Sequence, residues 1–263
     1  MAEHDNEGKE KVFSRRDFLK TSGVAAGGIV GGAMFGGVVG SLYQSDGGTE
    51  TEEPETDTEG SSSEGEALDD ARTYFSRGED FETLSAATEV IYPEDDNGPG
   101  AIELGVPYFI DRQCNEFWGR NSREYMMGPF DYTGAETHGI QSKLTRAEVL
   151  LAGVRKMLEI SQEEHDEDFA SLEEDQQISI MESFETGDVE MTGVRSEDFF
   201  ALLRNMTIHG VYSDPVYGGN RDYAGWKMIE FPGPRMGWGN DIESKDFQVI
   251  DPEGLRSYQG GGM

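Results

Sequence analysis

Apolar residues that recur at helical spacing behind helix-start signals constrain this fold more than any other feature of the chain. Thr145-Arg146-Ala147-Glu148 has the pattern of a capping box, and Ser171-Leu172-Glu173-Glu174 has a similar one. Asp80 and Ser196 are good N-cap residues, and Pro107 suits a first helical turn. No long alternating stretch bounded by hairpin turns is present, and no βαβ rhythm. We therefore predict an all-α fold. The residues expected on the buried helix faces are Phe81, Leu84, Thr88 and Ile91; Val106, Ile110, Cys114 and Phe117; Leu150, Leu151, Val154, Met157 and Leu158; Ile178, Met181 and Phe184; and Phe199, Leu202, Leu203 and Met206.

The C-terminal third differs in composition, because from Tyr212 to Trp238 aromatic residues alternate with Gly, Pro and Asn. Gly and Asn allow positive φ and Pro fixes φ, so this third is expected to be ordered but largely without regular secondary structure. We expect Gly218, Gly219 and Asn220 to lock one loop of it. The aromatic side chains either cover the helical body or contribute to an interface with a partner, and packing within the chain is the favoured alternative.

The N-terminus carries a targeting pattern. Residues 14–20 read Ser-Arg-Arg-Asp-Phe-Leu-Lys and precede an uncharged stretch from Thr21 to Gln44. This resembles a twin-arginine signal, which implies export of a folded protein to the outer face of the cytoplasmic membrane, through the twin-arginine translocase. The stretch is long enough to span a bilayer, but it is rich in Gly, so cleavage and retention as a membrane tether both stay open. The positions that carry the resemblance are Arg15, Arg16, Phe18 and Leu19.

Charge divides the chain into three parts: a signal over 1–43, a linker over 44–66 and a body over 67–263. The linker has nine acidic and no basic residues, which predicts disorder. The body, expected to be a single helical domain, has 39 acidic and 16 basic residues, a net charge of -23. Acidic residues spread throughout favour a surface adapted to high salt over an acidic docking face. Nucleic acid is excluded as a partner, because clustered Lys and Arg are missing.

Residues with catalytic or metal-binding chemistry are sparse. The chain has no Gly-x-Gly-x-x-Gly after a strand pattern, no phosphate loop and no Gly-x-Ser-x-Gly. Its one cysteine, Cys114, is expected to be a small buried hydrophobe. His209, at the end of a predicted helix, is favoured as a structural residue over an acid–base partner of Asp214, since the helix dipole favours its protonated form. Asp95 and Asp96 lie in a turn that could hold a hard cation, although turn chemistry explains them equally well.

Several segments together resemble a known family. The most specific is Asp214-Pro215-Val216-Tyr217-Gly218-Gly219-Asn220, with Trp226 behind it. The chain is similar here to subunit 3 of gluconate 2-dehydrogenase, the gamma or small subunit, over roughly Phe81 to Pro234. The linker and the residues after Trp238 lie outside the resemblance. The supporting segments are Ile91–Asp96, Pro99–Ala101, Val106–Asp111, Phe169–Leu172, Gln176–Gln177, Gly225–Trp226 and Pro232–Gly233.

The resemblance implies a membrane-associated dehydrogenase complex. A large flavoprotein of the glucose–methanol–choline type would hold FAD and oxidise a sugar or sugar acid, and a cytochrome subunit would hold haem. The small subunit would hold no cofactor or metal, have no catalytic residues, stabilise the flavoprotein and supply its export signal. The specific segment around Tyr217 and Trp226 would then lie near the flavoprotein. Two alternatives remain from the residues alone: a stand-alone exported sugar or sugar-acid enzyme using His209 and the Asp214–Asn220 loop, and a membrane-tethered binding protein.

Overall fold

Helices are the regular secondary structure in the part of the protein described by this computed structural model, which covers residues 70–131, 141–237, 246 and 248–259. Over these residues it has seven α-helices, three short 3-10 helices and no β-strand, so the predicted all-α fold is confirmed. The predicted signal and linker lie outside the described residues. The helices are α1 (Gly78–Ile91), α2 (Val106–Asn115), α3 (Arg146–His165), α4 (Glu174–Thr186), α5 (Ser196–Tyr212), α6 (Ala224–Met228) and α7 (Leu255–Gln259).

The capping box predicted for α3 is present. The Glu148 amide donates to Thr145 Oγ1 at 3.3 Å, and the Thr145 amide donates to Glu148 Oε2 at 2.8 Å. These two bonds satisfy backbone donors that the first helical turn would otherwise leave unpaired. The start of this helix was therefore readable from four consecutive residues.

The cap predicted for α4 is wrong by two residues. Ser171 ends a 3-10 helix, Phe169–Ser171, and α4 begins at Glu174 with Glu173 as its N-cap. The Glu173 amide donates to Gln176 Oε1 at 3.1 Å, so Glu173 and Gln176 cap this helix in place of Ser171 and Glu174. The fully buried Phe169 ring fixes the 3-10 turn against the core, and the helix starts after it.

The caps predicted for α1 and α5 are also displaced. Asp80 is the third residue of α1 and Ser196 the first of α5, while Arg77 and Arg195 are the N-caps. The Asp80 side chain is 2% exposed and accepts from Arg155 Nε and Nη2 of α3 at 3.1 and 3.0 Å. Acidic residues are favoured in the first helical turn as well as at the cap, so sequence does not distinguish the two positions.

Helix α5 lies at the centre of the bundle and packs against α1, α2, α3, α4 and α6. Two glycines permit close approach. A Cβ at Gly153 of α3 would lie 2.2 Å from the Phe199 ring, and one at Gly210 would lie 3.0 Å from Val106 and Phe109 of α2. The largest fully buried side chains are Phe75, Phe169, Phe184, Phe199, Leu84, Ile91, Leu104, Ile110, Leu150, Met157, Met181 and Leu203.

The predicted apolar stripe of α2 holds only in part. Val106, Ile110 and Cys114 are buried, as expected, but α2 ends at Asn115 and the Phe117 side chain is 71% exposed.

Within the described ranges, we find no helix with the length and apolar character needed to cross a membrane.

Candidate functional site

Asp214 begins the loop that follows α5 and ties it to the C-terminal helix. Its Oδ1 accepts from the Val216 amide at 3.0 Å, which caps a 3-10 helix over Pro215–Tyr217. Its Oδ2 accepts from the Leu255 amide at 2.7 Å, at the start of α7. One carboxylate thus joins two chain segments that are far apart in sequence.

Asn220 holds the far side of the same loop. Its side chain is fully buried: Nδ2 donates to the Ser213 carbonyl and Oδ1 accepts from the Gly225 amide, both at 2.8 Å. Gly218 and Asn220 have φ of 97° and 50°, in the left-handed region that Gly and Asn adopt most readily. The expected locking role of these two residues has a direct geometric basis.

Gly219 is required for a different reason than the one expected, since it does not have positive φ. A Cβ at Gly219 would lie 2.3 Å from the Gly210 carbonyl oxygen, and one at Gly225 would lie 2.0 Å from the Val211 carbonyl oxygen. Both glycines allow the loop backbone to pack directly on the last turns of α5. Their role is close approach, which spacing in a sequence does not reveal.

Trp226 packs within its own chain. Its side chain is 4% exposed, and Nε1 donates to the Tyr212 carbonyl at 2.8 Å. The Tyr223 ring stacks on it at 5.6 Å between centroids, and the Phe231 ring meets it edge-on at 5.1 Å. Of the two alternatives for the aromatic residues, Trp226 therefore follows the first, whereas Tyr217 is 49% exposed and free to meet another surface.

Arg221, which directly follows the motif, was not singled out from the sequence. Its amide donates to the Leu104 carbonyl at 3.2 Å, and its guanidinium lies 5.0 Å from the centre of the Tyr108 ring. The same guanidinium forms an ion pair with Asp70, the first described residue. The loop is thus joined to α2 and to the point where the body connects with the N-terminal segments.

Asp111, the last residue of the Val106–Asp111 segment, holds a second connection between distant parts of the chain, which its sequence position does not indicate. Its carboxylate is fully buried. It accepts hydrogen bonds from the amide and the hydroxyl of Thr73, the latter at 2.7 Å. It also accepts from the Tyr74 amide at 2.9 Å and the Phe75 amide at 2.7 Å. A buried carboxylate needs such donors, since burial without them is costly. Asp111 fastens the segment before α1 to α2.

The weak candidate His209 is not brought together with Asp214. Both Asp214 oxygens bond backbone amides, and no hydrogen bond joins the two side chains in the described structure. The imidazole is half-exposed on α5, and its partial burial lowers its pKa from the ordinary 6.5. This is opposite to the direction expected from the helix dipole. A stand-alone enzyme built on this pair loses its geometric support.

Other candidate sites offer little chemistry. In the Asp95 turn the carboxylate accepts from the Asn97 amide at 2.8 Å, as turn chemistry predicts. No group of three His, Cys, Asp or Glu residues suited to a metal ion occurs among the described residues. A shallow surface pocket of about 360 Å³ lies on α1 and α3, away from the loop, lined by Arg77, Arg155, Leu158, Glu159, Gln162 and Glu163. The export-signal residues Arg15, Arg16, Phe18 and Leu19 fall outside the described ranges.

A family model described as gluconate 2-dehydrogenase subunit 3 matches residues 78–233, more than half of the chain. The chain belongs to this family. The matched range begins at the first residue of α1 and includes the whole Asp214–Trp226 loop, so the subunit 3 match covers both the helical body and the loop. No curated protein and no solved structure matches the chain.

Membership of the subunit 3 family indicates an accessory subunit of a dehydrogenase complex, with other subunits of that complex as partners. The loop geometry fits such a role. The polar side chains of Asp214 and Asn220 are engaged in holding backbone segments together.

Proposed function

We propose that this subunit 3 protein is a non-catalytic accessory subunit that stabilises the flavoprotein of an exported, membrane-associated dehydrogenase complex and carries it through the twin-arginine route. The substrate class would be a sugar or a sugar acid. The observation that carries the proposal is the family match over residues 78–233, combined with the Arg15-Arg16 signal in the same chain. FAD would belong to a flavoprotein of the glucose–methanol–choline type and haem to a cytochrome subunit.

The site residues support this role through what they do in the fold. Asp214 and Asn220 use their side chains to hold backbone amides and a carbonyl, and Trp226 fills the space between α5 and the loop. A rigid loop of this kind is suited to presenting a surface, because preorganised residues bind with less loss of conformational entropy.

The export part is tested with a signal variant in cells that also make the flavoprotein. Replacing Arg15 and Arg16 by Lys should leave both proteins in the cytoplasm. The matched control replaces Lys9 and Lys11 by Arg, which keeps the charge near the signal and leaves the Arg pair intact. Flavoprotein that still reaches the outer face with the Arg15→Lys, Arg16→Lys variant would exclude the escort role.

A further inference from the structure

Large apolar side chains are exposed around the buried Trp226. They belong to two segments that meet beside Trp226, residues 217–231 and residues 255–258. The exposed fractions are 49% for Tyr217, 54% for Ile229, 42% for Phe231, 37% for Leu255 and 36% for Tyr258. We call these five residues the C-terminal face.

Direct contacts join the two segments into one substructure. The Glu253 amide donates to the Pro232 carbonyl at 3.2 Å, and the Gly254 amide donates to the Tyr223 hydroxyl at 3.2 Å. Asp214 lies between Tyr217 and Leu255, because its carbonyl accepts from the Tyr217 amide at 3.0 Å and its carboxylate from the Leu255 amide. These hydrogen bonds fix the two segments that carry the apolar residues relative to each other.

The charge of this region differs from that of the rest of the body. Residues 212–237 contain three acidic and three basic residues, and residues 248–259 contain two acidic and one basic, a net charge of -1 for both segments; residues 67–263 carry a net charge of -23. Strong net charge keeps protein surfaces apart, so a nearly neutral and apolar area on such a chain marks a place where another protein is accommodated. Interface cores are likewise depleted of acidic residues and enriched in aromatic residues, Met and Arg.

We infer that the C-terminal face is the surface through which this subunit binds the flavoprotein, an inference that rests on the proposed function. An escorted cargo must contact the chain that carries the signal. Arg221 of this region pairs with Asp70, so the connection to the N-terminal segments begins beside the face. An anionic membrane surface does not fit the face, because such a surface attracts clusters of Lys and Arg. The flavoprotein should present a complementary apolar patch.

The test compares two pairs of exposed apolar residues in the full chain, co-expressed with the flavoprotein. The face variant is Tyr217→Glu with Ile229→Glu. The matched control is Tyr125→Glu with Met127→Glu, whose side chains are 81% and 72% exposed before α3. Affinity for the flavoprotein is measured in molar salt, and the melting temperature and oligomeric state of each isolated subunit are recorded. A second face variant, Tyr217→Ser with Ile229→Ser, covers the case in which two added charges impair folding.

The face variant should melt like the wild type and lose at least about 100-fold in affinity, because charged groups replace central apolar contacts. The control should bind normally. Undiminished binding by a well-folded face variant, or weakened binding by the control alone, would overturn the assignment while leaving the escort role intact. Wild-type protein that binds no flavoprotein would remove both proposals. A face variant that abolishes only self-association would assign the face to a second copy of this chain.

Discussion

Removing the side chain of Asn220 tests how the loop is held on α5. Asn220→Ala removes both hydrogen bonds and places a Cβ-bearing residue without a local hydrogen bond at φ 50°. Asn220→Gly removes the same bonds but tolerates this φ. The pair of variants therefore separates the contribution of the side chain from that of the backbone conformation.

The size of the expected loss in stability follows from the hydrogen bonds of the Asn220 side chain. Either variant leaves the Gly225 amide and the Ser213 carbonyl without the partners they have at 2.8 Å. Each backbone group that is left unpaired costs about 1–3 kcal/mol, so the loss of both partners should lower the free energy of unfolding by about 2–6 kcal/mol. Asn220→Ala should cost about 1 kcal/mol more than Asn220→Gly, because left-handed backbone is unfavourable for Ala. For a body of this size the melting temperature should fall by roughly 4–24 °C.

The assay is thermal and denaturant unfolding of the full chain in molar salt, with near-ultraviolet circular dichroism reporting the packing of the aromatic side chains, Trp226 among them. Asn205→Ala, on the exposed surface of α5, is the matched control and should change stability by no more than about 0.5 kcal/mol. An Asn220→Gly protein that melts with the wild type would refute the view that these two bonds hold the loop.

Four further outcomes are expected. Gly225→Ala should lower the free energy of unfolding by about 1–3 kcal/mol, because its Cβ would meet the backbone of α5. Gly78→Ala, whose Cβ would have its nearest neighbour at 3.7 Å, is the control and should not destabilise the protein. Equal melting temperatures for the two variants would contradict this expectation. Asp111→Asn should cost about 3 kcal/mol in denaturant titration, since an amide cannot accept all the donated bonds. Burial raises the pKa of the Cys114 thiol, so a thiol reagent at pH 8 should label it only after unfolding; rapid labelling of native protein would count against its burial. Transfer from molar salt to dilute buffer should lower the melting temperature of the body, because its net charge of -23 is then poorly screened, and an unchanged value would argue against salt adaptation.

The helices could be predicted because apolar periodicity is a local signal. Leu150, Val154 and Met157 lie on the buried face of α3 as their spacing indicated. The caps of α1 and α5 could not be placed as well. Asp80 and Ser196 are acceptable at several positions of a first turn, and only tertiary packing decides among them.

The sequence located the candidate loop, but it did not show why each residue of the loop is needed. Gly218 and Gly219 look alike in sequence, yet one is needed for positive φ and the other for contact with the Gly210 carbonyl. The role of Asp111 depends on bonds to residues 73–75, which lie in a different part of the chain. Sequence spacing carries no information about such long-range bonds.

The Asp111 bonds also determine how a pull on the N-terminal side of the body is distributed. Any tension applied ahead of Thr73 reaches the residues before α1, whose amides are held by a carboxylate on α2. Tension then passes into two helices instead of peeling α1 from its first turn. Arg221 adds a third point of attachment at Asp70, on the loop after α5. A pull on the leading end of the body would therefore load α2 and the loop after α5 together with α1.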